Sequence, residues 1–468
     1  MTSTDLPLHI AGLTPGLAPI PTADPPTRCD VLVVGAGPAG SACARALALA
    51  GIDVVLVDQH EFPRDKICGD GLIPDAHAAL RELGVYDEVM DQAHRVSHVA
   101  CIAPRGGRVD VPGQLAVLPR RRLDHLLVRA AQRAGAHLAT PWRFGAPIEE
   151  GGRVVGGKLI RGQRDGGPAQ VIDVQARWVV LATGAGMQAM VGAGLCERRA
   201  ASGLALRTYV HHANLRQAIH AMEVVWHRRL SPGYGWVFPC GGDVYNVGVG
   251  IFNAPQQEIE RQQRNAPDTN LRRLLDAFAD CHASAGELLH GGTPLGDSGL
   301  KGAPLRCTLA GARLGRPGLL ATGEAIGSTY DFTGEGIGKA LQTGLLAARV
   351  VLESRGIAAT ASSTRLPDAG RAEVPGSPQA RLAGAADSPA SDAAVLARYG
   401  AAIGALRPQF ELYAKANRVN SQPWLADLVI WRAQRSERLR RRMTGVLEET
   451  TNPGHLLTLK GLWKLMMQ

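Results

Sequence analysis

The residues Gly35-Ala36-Gly37-Pro38-Ala39-Gly40 stand between an apolar run at 29–34 and an Ala/Leu-rich run at 39–50. Glycines at the first, third and sixth places let a chain turn tightly out of a strand, bring backbone against a pyrophosphate and pack a helix close to the sheet. The helix that follows offers free N–H groups to phosphate at its first turn. Asp58 closes the next apolar run, 54–57, and lies 23 residues after Gly35. That is where a carboxylate should meet the ribose of an adenosine. Strand, turn, helix, strand and acid in register predict a dinucleotide site held by Gly35, Gly37, Pro38, Ala39, Gly40 and Asp58.

Far downstream, Ala321-Thr322-Gly323-Glu324-Ala325 follows a short apolar run, and Thr333-Gly334-Glu335-Gly336-Ile337 opens a second helical pattern. Such turns could hold a ribityl chain, with the N–H groups from Gly334 to Ile337 facing a ring oxygen. The positive end of the helix there would favour an anionic reduced ring. Two cofactor-like segments so far apart favour FAD over NAD. On its own, the second is also readable as a glycine-rich helix start.

These residues need elements to place them. The pattern predicts strands at 29–34, 54–57 and 177–182, the last running into the turn Thr183-Gly184-Ala185-Gly186, with hairpin strands at 153–174. Helices are expected at 39–50, 72–83, 123–134 and 337–352, and a strand-rich stretch at 204–252. The fold class is α/β: a Rossmann-type FAD-binding domain with an inserted antiparallel-sheet substrate domain and a C-terminal helical segment. Residues 1–27 read as a flexible leader, and 28–90, 119–200 and 301–355 as three parts of the FAD-binding domain. The stretches 91–118 and 201–300 form the substrate domain, 356–392 a disordered Ala/Ser/Pro/Gly-rich insertion, and 393–468 the C-terminal helices.

With 45% hydrophobic and 20% charged residues, the 468-residue chain can bury a large core. Its formal charge of +9 suits an anionic cofactor, a phosphorylated substrate or an acidic membrane surface. The eight cysteines form no CxxC pair, so neither a metal site nor a disulfide framework is expected, and a reduced cytoplasmic protein is the default. No apolar stretch of spanning length is free of charge. Nothing supports nucleic-acid binding.

Two further segments carry a family resemblance. Phe62-Pro63-Arg64-Asp65-Lys66-Ile67-Cys68-Gly69-Asp70-Gly71 is similar to the FPRxKxCGDG stretch of the geranylgeranyl reductase family, a branch of the p-hydroxybenzoate-hydroxylase-like superfamily. Pro232-Gly233-Tyr234-Gly235-Trp236-Val237-Phe238-Pro239, with Asn246-Val247-Gly248-Val249-Gly250, resembles that family's PxxYxWxFP and NVGxG signature. The resemblance covers roughly 28–352. It implies reduction of isolated C=C bonds in isoprenoid chains, and the GDGLxP form at 69–74 resembles bacterial members acting on quinone tails. It also implies FAD contacts from Arg64, Cys68, Gly69, Gly184 and Arg120, the last in an RxxxD with Asp124. Gly323, Glu324, Gly334, Gly336 and Ile337 would hold the ribityl chain and ring, and Tyr234, Trp236, Phe238 and Pro239 would line the substrate tunnel. Two departures are visible: Glu324 stands where the family usually has Asp, and 183–188 replaces the DGxxSxVR segment of many relatives.

Reducing an unactivated alkene takes a hydride from the flavin and a proton for the adjoining carbon, in a dry apolar channel. Cys68 is a candidate proton donor, or a packing thiol. Asp70 could tune it, or cap the helix at 72–83. The remaining cysteines read as packing residues. The electron donor could be NADPH or a ferredoxin-like protein. Between 431 and 443 there are six Arg against one Glu, and 456–467 is apolar with two Lys. Together they could rest on anionic lipid as a peripheral membrane contact. A flavin monooxygenase or halogenase on the same fold is the competing class, although 75–83 lacks the lysine that halogenases carry there; a flavoprotein assembly factor is a third.

Overall fold

The computed structural model describes residues 16–21, 23–162, 168–252, 270–295, 299–357 and 389–449. Most of the leader, most of the insertion and the apolar tail at 456–467 lie outside the described residues.

One sheet of eight strands carries the nucleotide-binding half. Its parallel centre runs Leu319–Ala321, Gln170–Leu181, Arg28–Val34, Val54–Val57, His137–Ala139. Val31–Val34 and Val54–Val57 are buried on both faces, as continuous Val/Leu runs in a covered parallel sheet must be. The helices Pro38–Leu49, Arg120–Arg133 and Ile337–Ser354 pack together over this sheet.

The strands expected separately at 153–174 and 177–182 are joined differently. Gln170–Leu181 is one strand of 12 residues. It pairs antiparallel with Arg153–Arg161 along its first half and parallel with Arg28–Val34 along its second. The alternation of exposed and buried residues at 170–175 gives way to unbroken burial from Trp178, so the two halves look like two elements in sequence.

The second sheet has nine strands. It begins at Gly71–Leu72, takes in His94–Ile102 and Arg108–Val117, and continues through Met222–Val225, Gly233–Gly241, Val244–Phe252 and Gly203–His211. It is antiparallel except at one junction, where Met222–Val225 lies parallel to His94–Ile102. Lys301–Leu305 also joins it, so the sheet extends past residue 300.

One face of this sheet is covered by the helices Leu271–Cys281 and Ala283–Gly291, with Phe278 against Gly235. The other faces inward, toward the C-terminal helices Arg407–Ala416, Arg418–Ser421, Trp424–Ala433 and Glu437–Leu447. A preceding helix, Pro389–Gly404, begins inside the stretch expected to be disordered and is tied down by Asp392 on Arg153 at 2.8 Å. No described helix is long and apolar enough to cross a bilayer.

Candidate active site

At the first turn, Gly35 has φ +100° and a Cβ there would sit 2.3 Å from the Ala182 carbonyl oxygen. At Gly40 a Cβ would sit 1.8 Å from the Gly35 oxygen. Those two glycines are filled by the fold itself. Gly37 is not: its nearest neighbours would be the guanidinium nitrogens of Arg120 at 3.7 Å and Arg64 at 3.8 Å. The turn therefore presents an open backbone cradle flanked by two cations, immediately before the helix that starts at Pro38. That shape and charge fit a pyrophosphate.

The two arginines are organised by a residue whose importance the spacing alone did not reveal. Asp124 has no exposed surface and receives Arg120 through both of its oxygens, at 2.7 and 2.9 Å, and Arg64 at 3.0 Å. Burial alone would lower the Arg120 pKa, but the Asp124 carboxylate outweighs it and holds the guanidinium above its ordinary value. Arg64 also reaches Asp58 at 3.2 Å. Asp58 accepts the Ala36 N–H at 2.9 Å and the His60 N–H at 3.0 Å, which fixes its carboxylate at the rim of the same turn.

Three more turns reach this place. Gly184 has φ +67°, and a Cβ there would sit 3.8 Å from a Glu324 carboxylate oxygen. Glu324 lies in the 3-10 turn Gly323–Ile326 and accepts the Arg306 N–H at 3.4 Å. Gly334, Glu335, Gly336 and Ile337 open the Ile337–Ser354 helix, and the Glu335 carboxylate accepts the Gly338 N–H at 2.8 Å. Gly35, Gly37, Pro38, Ala39, Asp58, Arg64, Arg120, Gly184, Glu324, Gly334, Gly336 and Ile337 all line one cavity of about 860 Å³. Gly40 and Gly323 lie behind its wall, Gly323 with its missing Cβ 2.7 Å from the Cβ of Ala39.

Cys68, Gly69 and Asp70 face the same cavity from the second-sheet side. Asp70 has φ +66° and is fully buried. It does not cap the following helix, which runs Pro74–Glu82 with Ile73 at its N-cap and no side-chain cap bond. The left-handed backbone turns its carboxylate the other way. One oxygen accepts the Arg120 N–H at 3.2 Å, in the first turn of the Arg120–Arg133 helix; the other accepts the Tyr209 hydroxyl and Asn246 Nδ2, the latter at 2.8 Å. Burial pushes the Asp70 carboxyl up to about 6, with Arg207 opposing. Asn246 also donates to the Cys68 carbonyl at 2.8 Å and accepts Trp236 Nε1 at 2.9 Å. It ties the cysteine loop to the aromatic strand. Burial raises the Cys68 thiol, with Arg120 acting against it, so the group stays protonated near neutrality.

Tyr234, Trp236 and Phe238 alternate on Gly233–Gly241 and all three line the cavity. Tyr234 donates its hydroxyl to the Thr333 carbonyl. Pro239 is one residue out of phase and is absent from the lining. Beyond Phe238 the cavity continues as an apolar slot between Val99, Cys101 and Val111 on the sheet and Val429, Met443 and Leu447 on the C-terminal helices. Cys101, expected as a packing residue, is thus part of the wall, its thiol pushed up to about 12 by burial. Tyr209, Asn246 and the slot's helical roof were missed as site residues. Only Asn246 stood in a quoted motif, and no spacing rule links the others to it. Among the described residues no group of three potential metal ligands gathers.

Residues 28–282 match the model of the FAD binding domain. The chain is 31% identical over 358 residues to a menaquinone reductase of Mycobacterium tuberculosis, covering 70% of this chain and 78% of that one. It is 30% identical over 336 residues to digeranylgeranylglycerophospholipid reductase 1 of Methanopyrus kandleri, covering 69% and 80%. A geranylgeranyl bacteriochlorophyll reductase-like structure from Thermoplasma acidophilum superposes with a TM-score of 0.66 at 20% identity, over 94% of this chain and 96% of that one.

Proposed function

We infer that this chain, which belongs to the FAD binding domain family and is an FAD-dependent oxidoreductase, reduces isolated C=C bonds of an isoprenoid chain such as a prenyl-quinone or prenyl-lipid tail. The observation that carries this is the continuity of the cavity. The glycine turns that fit FAD open without a break into a slot walled by Tyr234, Trp236, Phe238, Val99, Val111 and Leu447. Such a slot suits a flexible hydrocarbon and offers few polar groups.

Arg64 and Arg120 would bind the pyrophosphate over Gly37, with Asp58 placed for the ribose. The first turn at Gly336 and Ile337 would favour negative charge at the ring's O2 edge, as helix N-termini do. When bound, reduced flavin supplies the hydride. The aromatic strand orients the chain and excludes water, which would otherwise weaken the electrostatics of the step. Cys68 Sγ, protonated and facing the cavity, holds the proton for the adjoining carbon. Asp70 and Asn246 are positioning residues for its loop. The electron donor is NADPH or a ferredoxin-like protein docking from outside. The protein works at the cytoplasmic surface of a membrane, where its substrate resides.

The test is anaerobic incubation of the reduced flavoprotein with a polyprenyl quinone, followed by mass spectrometry of the lipid. A gain of two hydrogens per turnover that persists after the quinone ring is reoxidised in air, and so lies in the tail, is expected. Turnover that requires oxygen and adds an oxygen or halogen atom to the product would reject the reductase.

A further inference from the structure

The Trp424–Ala433 helix is apolar on two opposite sides. Its inner side, Leu425, Ala426, Val429 and Ile430, packs against the second sheet and roofs the slot. On its outer side Trp424, Leu428 and Trp431 recur at helical spacing, and the tryptophans are 53% and 47% exposed. The inner stripe is used by the core, so the second, outward stripe is apolar surface that packing within the chain does not cover. Arg435 extends the outer stripe, its guanidinium 4.6 Å from the Trp431 ring centre, with Arg432 at 5.8 Å.

The next helix, Glu437–Leu447, repeats the division. Met443 and Leu447 line the slot, while Arg438, Arg441 and Arg442 are exposed. The two acids within these helices are already matched, Glu437 by Arg441 at 2.9 Å and Arg440 at 3.8 Å, and Asp427 by Arg105 at 3.8 Å, and one further acid, Glu448, is exposed at the C-cap. Among the described residues no carboxylate pairs with Arg435, Arg438 or Arg442, so the patch carries net positive charge around two tryptophans. Indole rings settle at the level of lipid headgroups, and arginines there attract anionic lipid.

We propose that the outer face of the Trp424–Ala433 helix, with the exposed arginines of the Glu437–Leu447 helix, docks on an anionic bilayer and places the slot beneath it to receive lipid tails. The roof is then one helical layer with two apolar faces, one toward the bilayer and one toward the reaction site. This rests on the prenyl-chain reading for the purpose of docking, though not for its detection.

The experiment is co-sedimentation of the full FAD-loaded protein with vesicles of phosphatidylcholine alone or mixed with phosphatidylglycerol, without substrate. Binding to the mixed vesicles and little to the neutral ones is expected. Arg438→Glu with Arg442→Glu should weaken it by more than the roughly fivefold per residue expected for simple loss of an arginine. Trp424→Ser with Trp431→Ser should weaken it by at least tenfold, and Val171→Ser, another exposed apolar residue, should leave it unchanged. The unmutated protein gives a second measurement: its tryptophan emission should be quenched by lipids brominated near the headgroup.

Equal binding by wild type and the tryptophan pair, or binding to neither vesicle, overturns the proposal. So does a vesicle-free dimer that the tryptophan pair abolishes, because the face would then cover a second copy. Turnover of a short, detergent-solubilised isoprenoid is measured in parallel. Vesicle binding without turnover of any prenyl compound sinks the reductase reading and leaves docking standing; normal turnover without vesicle binding does the reverse.

Discussion

Replacing Gly37 by alanine separates what the first turn does for the fold from what it does for the cofactor. An added Cβ at Gly37 meets nothing closer than 3.7 Å, and its backbone is not in the left-handed region, so the apoprotein should keep its stability to within about 1 kcal/mol. The methyl group occupies the place where backbone must approach phosphate. Losing two hydrogen bonds to a charged group costs about 1.5–3 kcal/mol each, or together roughly 10²- to 10⁴-fold in FAD affinity. Gly40→Ala is the counter-case. Its Cβ would lie 1.8 Å from the Gly35 oxygen, so the strand–helix crossing must open, and several kcal/mol of stability should go with it. The assay is urea unfolding of both apoproteins beside a fluorescence titration with FAD. If Gly37→Ala binds FAD as wild type does, the pyrophosphate is not at this turn and the assignment of Arg64 and Arg120 goes with it.

Phe238→Trp enlarges the wall beside Gly69, whose missing Cβ would lie 3.2 Å from the Phe238 ring. It should cut kcat/KM for a long polyprenyl substrate roughly tenfold more than for a short one, with FAD binding unchanged, as steady-state kinetics on two chain lengths would show. Cys68→Ala should lower kcat by about 10²-fold or more, while Cys68→Ser, which keeps an O–H donor, retains most of it; equal rates in all three proteins remove the thiol from the chemistry. Asp70 holds its proton more tightly folded than unfolded, with a pKa of about 6 against an ordinary 3.8. The folded state therefore binds more protons between those values, and stability falls as pH rises through that window by on the order of 3 kcal/mol, with the full penalty present above it. Urea unfolding of Asp70→Asn between pH 4 and 7 should lack this slope. Asp124→Asn should leave Arg64 and Arg120 without their shared anion, costing the apoprotein about 3–5 kcal/mol in the same assay.

The nucleotide turn was legible because its chemistry is local. Glycine spacing, the apolar runs at 29–34 and 54–57 and Asp58 lie within one strand-turn-helix-strand unit. The alternation of Tyr234, Trp236 and Phe238 likewise fixed one wall; Pro239 was expected on it from the motif, although the same period of two puts it out of phase, and it does not line the cavity. What stayed hidden depends on distant chain segments meeting. Tyr209 and Asn246 reach Asp70 across separations of 139 and 176 residues, and no pattern in either segment announces the other. The reading of Asp70 as a cap failed because its left-handed backbone conformation, unusual outside glycine, turns the carboxylate toward a different helix. The strand Gln170–Leu181 was split because its burial changes midway, where it leaves the hairpin and enters the parallel sheet. The basic stretch at 431–443 was visible as charge, but the role of its apolar side in roofing the slot needed the packed helices.

The central claim is that one protein-bound flavin hands its electrons to an isolated double bond lying in the slot. Anaerobic stopped-flow mixing of the reduced protein with a polyprenyl quinone tests it most directly. The account predicts that the oxidised flavin spectrum returns at a rate that rises and then saturates with substrate, with one double bond of the tail, not the quinone ring, reduced per flavin reoxidised. A spectrum that stays reduced until air is admitted would contradict it.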